Sequence, residues 1–145
     1  GTPAYFAAHG EPKKPQELAD HSCFSFQLAD GNHAWKLIDG NNEEISVKVE
    51  SKFRFNNVDC ILDAALAGHG IAMLPTYLCG PELARGALTT VLDDFELVSS
   101  HGRYLYACYT PNRVRVPKVR VFLAELESLF TPVPPWEIQA RANFS

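Results

Sequence analysis

The run Phe53-Arg54-Phe55-Asn56-Asn57-Val58-Asp59-Cys60-Ile61-Leu62-Asp63-Ala64-Ala65-Leu66-Ala67-Gly68-His69-Gly70-Ile71-Ala72-Met73-Leu74-Pro75 decides the fold class. Residues 53–55 read as a short strand. Asn56 and Asn57 are both good helix caps, because a short polar side chain there satisfies an orphan backbone N–H. Val58, Ile61, Leu62, Ala65 and Leu66 recur at i, i+3, i+4, i+7 and i+8, one apolar face of a helix. Gly68 closes that helix, and residues 70–75 form a continuous apolar run of the buried-strand type. Strand, helix and strand in so short a span make a βαβ unit, and with it a parallel sheet.

Upstream, Thr2 followed by Pro3 starts a short helix over residues 3–9 that stops at Gly10. Pro12 and Pro15 then turn the chain before a brief helical stretch over residues 16–19. Residues 23–28 and 34–38 have strand composition; Asp39-Gly40 signals a turn; and Ile45, Val47 and Val49 alternate with polar residues, together a hairpin or meander near a sheet edge. Downstream, a short helix follows Pro75, with residues 81–85 in it and Gly86 as its cap, and residues 88–92 and 104–109 read as strands. Residues 111–117 form a linker, and a last helix from Pro117 carries Val119, Phe122, Leu123, Leu126 and Phe130 on one face. The prolines of residues 131–135 end that helix, and the tail beyond is expected to be poorly ordered.

A chain of 145 residues, 46% hydrophobic and 21% charged, suits one ordered domain and excludes disorder. A net charge of -4 argues against a self-sufficient nucleic-acid-binding domain. The densest basic stretch, Arg113, Arg115, Lys118 and Arg120, reads as a solvated helix entrance. No apolar run approaches the ~20 residues of a membrane span, and the first residues lack the charged and apolar regions of a signal peptide. Cys23, Cys60, Cys79 and Cys108 are widely spaced, as reduced cytoplasmic thiols are.

No catalytic arrangement emerges. Gly68-His69-Gly70 closes a helix and opens a strand, the reverse of a phosphate-binding loop. The five histidines show no metal-ligand spacing, so neither a metal nor another cofactor is expected. Cys60, between Asp59 and Asp63, reads as a buried and inert thiol. Ser25, Ser99 and Ser100 lack a nucleophile context, and Glu43-Glu44 and Asp93-Asp94 read as solvated turn carboxylates. One feature remains: the helix start at Asn56-Asn57 directly follows a strand, where open α/β sheets place ligands and where helix dipoles favour anions. It reads either as a pocket wall for a small carboxylate or as simple capping.

In these residues the chain resembles LysR-type transcriptional regulators. Residues 2–10, with Pro12 and residues 15–18, resemble the segment opening the second lobe of that family's effector-binding region. Residues 64–75 are similar to its helix–glycine–strand signature. Residues 88–92, 105–109 and 117–122, and Trp136 after the prolines, follow in the family's order. The resemblance covers nearly the whole chain.

It implies an α/β fold of the periplasmic-binding-protein type 2: a lobe of mixed sheet flanked by helices, over residues 3–104. A returning strand and C-terminal helix, residues 105–130, would belong to the other lobe, and residues 131–145 form a tail. The function implied is effector sensing, not enzymatic, with a small molecule, a carboxylate, bound in the cleft between lobes. Contact residues implied are Thr2 and Pro3 at a hinge, Ser25 and Phe26 at the end of the first strand, Phe55, Asn56 and Asn57 at the strand–helix junction, and Ile71 and Ala72 behind them. DNA would be reached only through an N-terminal helix-turn-helix that this chain lacks, together with most of the first lobe. A cytoplasmic homo-oligomer away from the membrane follows. The last helix, without its partner sheet, is expected to drive association. Two alternatives stay open: a lobe of a periplasmic-type solute-binding protein, which has a related fold and would carry a signal peptide upstream, and a peroxide sensor of the same family, whose reactive cysteine pair the positions of these four cysteines do not match.

Overall fold

Thr2 opens the first helix, α1 (Pro3–His9), by accepting a hydrogen bond from the Tyr5 amide, and Gly10 ends it at φ +83°. This computed structural model describes residues 1–26, 34–50, 53, 55–98, 106–110 and 116–136. A 3-10 turn over Pro15–Asp20 leads into β1 (Cys23–Phe24). The predicted strand over residues 23–28 is therefore short; it extends through a single parallel bridge from Phe26 to Phe55, and residues 27 and 28 lie outside the described residues.

The βαβ unit folds around β1. Helix α2 (Val58–Leu66) carries the chain from Phe55 to β4 (Ile71–Ala72), which pairs parallel to β1 with Cys23 opposite Ile71 and Phe24 opposite Ala72. β1 thus lies between Phe55 and β4. The predicted strand at 53–55 is reduced to its Phe55 bridge, since one pairing residue is too few for a ladder; Arg54 lies outside the described residues. Gly70 lies so close to β1 that a Cβ on it would sit 2.1 Å from the Ser22 carbonyl oxygen, so glycine is required there.

A second sheet is antiparallel, in the order β3 (Glu44–Lys48), β2 (Ala34–Ile38), β5 (Glu96–Val98). The expected hairpin is present, its turn held by Asp39 Oδ1, which accepts from the amides of Asn41 and Glu43 at 2.9 Å. Alternation sends Trp35 and Leu37 inward to meet Tyr5, Leu18, Cys23, Val47, Val49 and Ile71. A smaller cluster of Ala65, Cys79 and Leu88 packs between α2 and α3 (Thr76–Ala84).

Several expectations are corrected. α3 starts at Thr76, directly after Pro75, and holds Pro81 within it; that residue stays exposed while Cys79 and Gly80 are buried. Residues 88–92 form no strand among the described residues: Leu88 is buried in the α2–α3 cluster, Thr89 pairs with Gly1, and Leu92 turns at φ +60°. The strand of this region is β5, a few residues later. Residues 106–110 have no regular structure and are exposed, with no strand beside them among the described residues to complete a ladder; residues 104 and 105 lie outside the described set. Cys60 is exposed, not buried. It shares the polar side of α2 with Asp59 and Asp63, while Ile61 and Ala65 face the core.

Helix α4 (Pro117–Phe130) has no buried residue, and Val121, Phe122 and Leu129 stand exposed. The start of the tail does fold back: the Trp136 ring lies 5.4 Å from that of Phe130 and 6.2 Å from that of Tyr77 on α3, with its backbone over Gly80. Residues 137–145 lie outside the described residues.

Candidate functional site

At the carboxyl end of β1 the chain assembles a junction from five of the residues singled out in the sequence. Ser25 and Phe26 are half-buried, Phe55 bridges to Phe26, and Asn56 and Asn57 are exposed where α2 begins. Asn57 is the cap itself: its Oδ1 accepts from the Asp59 amide at 2.8 Å. The amides of Val58 and Cys60 carry no hydrogen bond among the described residues. They add to the partial positive charge of a helix N-terminus, so an anion can be held there. Asp59, in the same first turn, places a carboxylate close by that competes with such an anion.

Ile71 and Ala72 sit one strand behind this junction, Ile71 in the core and Ala72 half-buried. Thr2 and Pro3 are not brought to it. Thr2 Oγ1 caps α1 and lies beside Gly68, where a Cβ would be 3.4 Å from it. That is past the C-terminal end of α2, separated from Asn57 by the nine-residue helix, roughly 13 Å of axis.

Two clefts escaped the sequence reading. One, of about 530 Å³, lies at the amino end of β1 and is lined by Tyr5, His9, Asp20, His21, Glu50 and His69. The Tyr5 hydroxyl accepts from the Ser22 amide at 3.3 Å and lies 3.1 Å from Nδ1 of the buried His21. The His9 ring stacks on Tyr5 at 4.3 Å. Burial, and then the neighbouring His9, hold the His21 imidazole below its ordinary value, and burial pushes the Tyr5 phenol up. The Tyr5 hydroxyl and Nδ1 share one hydrogen bond, in which the phenol donates when the His21 proton sits on Nε2 and accepts when it sits on Nδ1. The i, i+4 spacing of Tyr5 and His9 on α1 was the available signal; no metal-ligand spacing reveals such a network. Among the described residues no group of three or more histidine, cysteine or acidic side chains could hold a metal.

The other cleft, about 290 Å³, is apolar and includes Trp35, Leu37, Met73, Leu83, Phe95 and Leu97 in its lining. Among the described residues the buried indole Nε1 of Trp35 has no hydrogen-bond partner.

The profile of the LysR substrate binding domain family matches residues 1–131. The chain is 39% identical over 113 residues to a Pseudomonas aeruginosa protein described as a transcriptional regulator, covering 77% of this chain and 35% of that one. It is 35% identical over 97 residues to the HTH-type transcriptional regulator PgrR of Escherichia coli, covering 66% of this chain and 32% of that one. Its fold is similar to that of CrgA, a LysR-type transcriptional regulator from Neisseria meningitidis, with a TM-score of 0.64 and 25% identity over 90% of this chain and 44% of the other. The chain spans about a third of the length of the curated relatives it matches. No helix of the described residues is long and apolar enough to cross a membrane. The periplasmic-binding-protein type 2 architecture and the effector-binding rather than enzymatic function implied by the sequence both follow from that match: the chain belongs to the LysR substrate binding domain family.

Proposed function

We propose that this lobe holds a small carboxylate at the junction of Phe55 and α2, and that the intact regulator uses it to bias a homo-oligomer bound to DNA in the cytoplasm. The observation that carries the reading is the meeting of three features at one point. The Phe26–Phe55 parallel bridge ends there, α2 begins there with amides at Val58 and Cys60 that carry no hydrogen bond among the described residues, and Asn56 stands exposed beside them. Ser25 and Phe26 flank the junction, and Ile71 and Ala72 back it. Thr2 and Pro3 enter the reading only through the resemblance, as a hinge. The mechanism is population shift: an effector that prefers one lobe arrangement moves the equilibrium by its differential affinity and no more.

The intact protein carries the test. Asn56→Ala should weaken effector binding about tenfold, the loss of one hydrogen bond to a charged group, without unfolding the domain. Asp59→Asn should tighten binding of an anionic effector and leave a neutral one unchanged, because a competing carboxylate has gone. Unchanged affinity in both variants would remove the α2 N-terminus from the site.

A further inference from the structure

The larger cleft, about 530 Å³, lies at the opposite end of β1 from the start of α2, and its charge is one-sided. Asp20 and Glu50 stand exposed in its lining, and among the described residues no lysine or arginine lines it. Neither carboxylate has a hydrogen bond or an ion pair among the described residues. Backbone charge has the same sign. α1 ends in His9, and Gly68 and His69 follow the end of α2; all three residues line the cleft. The carboxyl ends of two helices, each a pole of partial negative charge, therefore lie beside it.

The floor holds a polar atom in need of a partner. His21 lines the cleft and is only 9% exposed. Its Nδ1 is engaged by the Tyr5 hydroxyl at 3.1 Å, while among the described residues its Nε2 carries no hydrogen bond. A nearly buried ring nitrogen without a partner costs free energy until something meets it. Burial keeps this imidazole uncharged above its lowered value, so the floor does not repel a cation. With the His21 proton on Nδ1, Nε2 presents a lone pair. The walls are aromatic: the half-exposed Phe53 ring lies 6.4 Å from His69, and His9 stacks on Tyr5 at 4.3 Å. Ring faces of this kind attract cations.

We propose that this cleft is a second ligand site, separate from the start of α2, and that it takes a small organic ammonium, a primary alkylamine. The three N–H donors of such a group have three acceptors in one cleft, His21 Nε2 and the carboxylates of Asp20 and Glu50. The alkyl part lies against Phe53 and His69. An anion meets the wrong sign of charge, and among the described residues a metal ion lacks a set of three ligands.

The probe is butylamine, titrated into the isotope-labelled chain at about pH 7.5, above the ordinary histidine range, and followed by NMR. Saturable shifts are expected at His21, Phe53 and His69, with Nε2 of His21 moving to the position of an unprotonated acceptor nitrogen. Asp20→Asn and Glu50→Gln lie on the surface and should leave the fold intact. Each should weaken binding about three- to fivefold, since each removes one solvent-screened charge. Binding indifferent to both substitutions would overturn the proposal, as would the lack of any saturable shift by about 10 mM amine. Butanoate, with the same alkyl chain and the opposite charge, is the control. If butanoate occupies the cleft instead, with Nε2 protonated, the site is anionic and the proposal fails. It fails equally if zinc shifts His9 and His69 while butylamine shifts nothing.

Discussion

The hydroxyl of Tyr5 stands 3.1 Å from Nδ1 of His21 and also accepts the amide of Ser22, tying α1 to the entrance of β1 through one oxygen. Tyr5→Phe keeps the buried ring but strands a ring nitrogen and an amide. It should cost about 1–3 kcal/mol in urea unfolding, because unmet polar groups and not lost apolar area dominate the change. A loss below a few tenths would mean that water replaces the hydroxyl without penalty.

His21 gives stability a pH dependence of definite sign. Burial, and then His9, hold its folded value below the ordinary 6.5. The unfolded chain therefore binds the proton more readily, and stability rises with pH across that interval. The contribution is complete above about 6.5 and is lost as pH falls through the lower folded value. Urea midpoints from pH 7.5 down to 5 should decline more steeply in the native chain than in His21→Asn. Parallel profiles would exclude His21 as the source.

Gly70 should resist substitution. A Cβ there would lie 2.1 Å from the Ser22 carbonyl oxygen and 3.0 Å from the Phe24 ring, at the point where β4 first pairs with β1. Gly70→Ala should cost about 3 kcal/mol or more. Gly40→Ala, in open space, should stay within about 0.5 kcal/mol, with both read by thermal denaturation.

Thiol labelling separates the four cysteines. Cys60 and Cys108 are exposed, while Cys23 and Cys79 are buried. Burial pushes the Cys23 thiol up to about 12 and raises Cys79 as well. A maleimide should modify the first two in the folded chain and the second two only in denaturant. Rapid native labelling of Cys23 would contradict its place in the core.

The exposed face of α4 should make this chain associate. Light scattering at rising concentration should report growth beyond the monomer, and Phe122→Glu should reverse it, since Phe122 is 64% exposed and apolar. A monodisperse monomer of the unchanged chain at high concentration would sink the idea.

What could be read in advance was local. The 3.6-residue apolar stripe of α2, the cap at Thr2 and the stop at Gly10 depend on neighbours within one turn, and all three are where the pattern put them. β5 was invisible because only Leu97 of its three residues turns inward, too short for alternation to register. Cys60 was misread because flanking charges were weighed ahead of the helical face it occupies. Of the candidate site, the grouping of Ser25, Phe26, Phe55, Asn56 and Asn57 was legible as strand ends beside a helix start. The separation of Thr2 from them was not, since it depends on how Gly68 returns against α1. The Tyr5–His21 contact joins two elements through a turn and leaves no periodic trace.

The position of β1 between Phe55 and β4 also sets a timetable for synthesis. Cys23 and Phe24 leave the ribosome ahead of the partners that flank them, which emerge only with residues 55 and 71. Until then two fully buried side chains have no sheet to join. A nascent chain paused ahead of Ile71 carries an adhesive central strand, so ribosomal pausing within α2 is where misassembly of this lobe would begin.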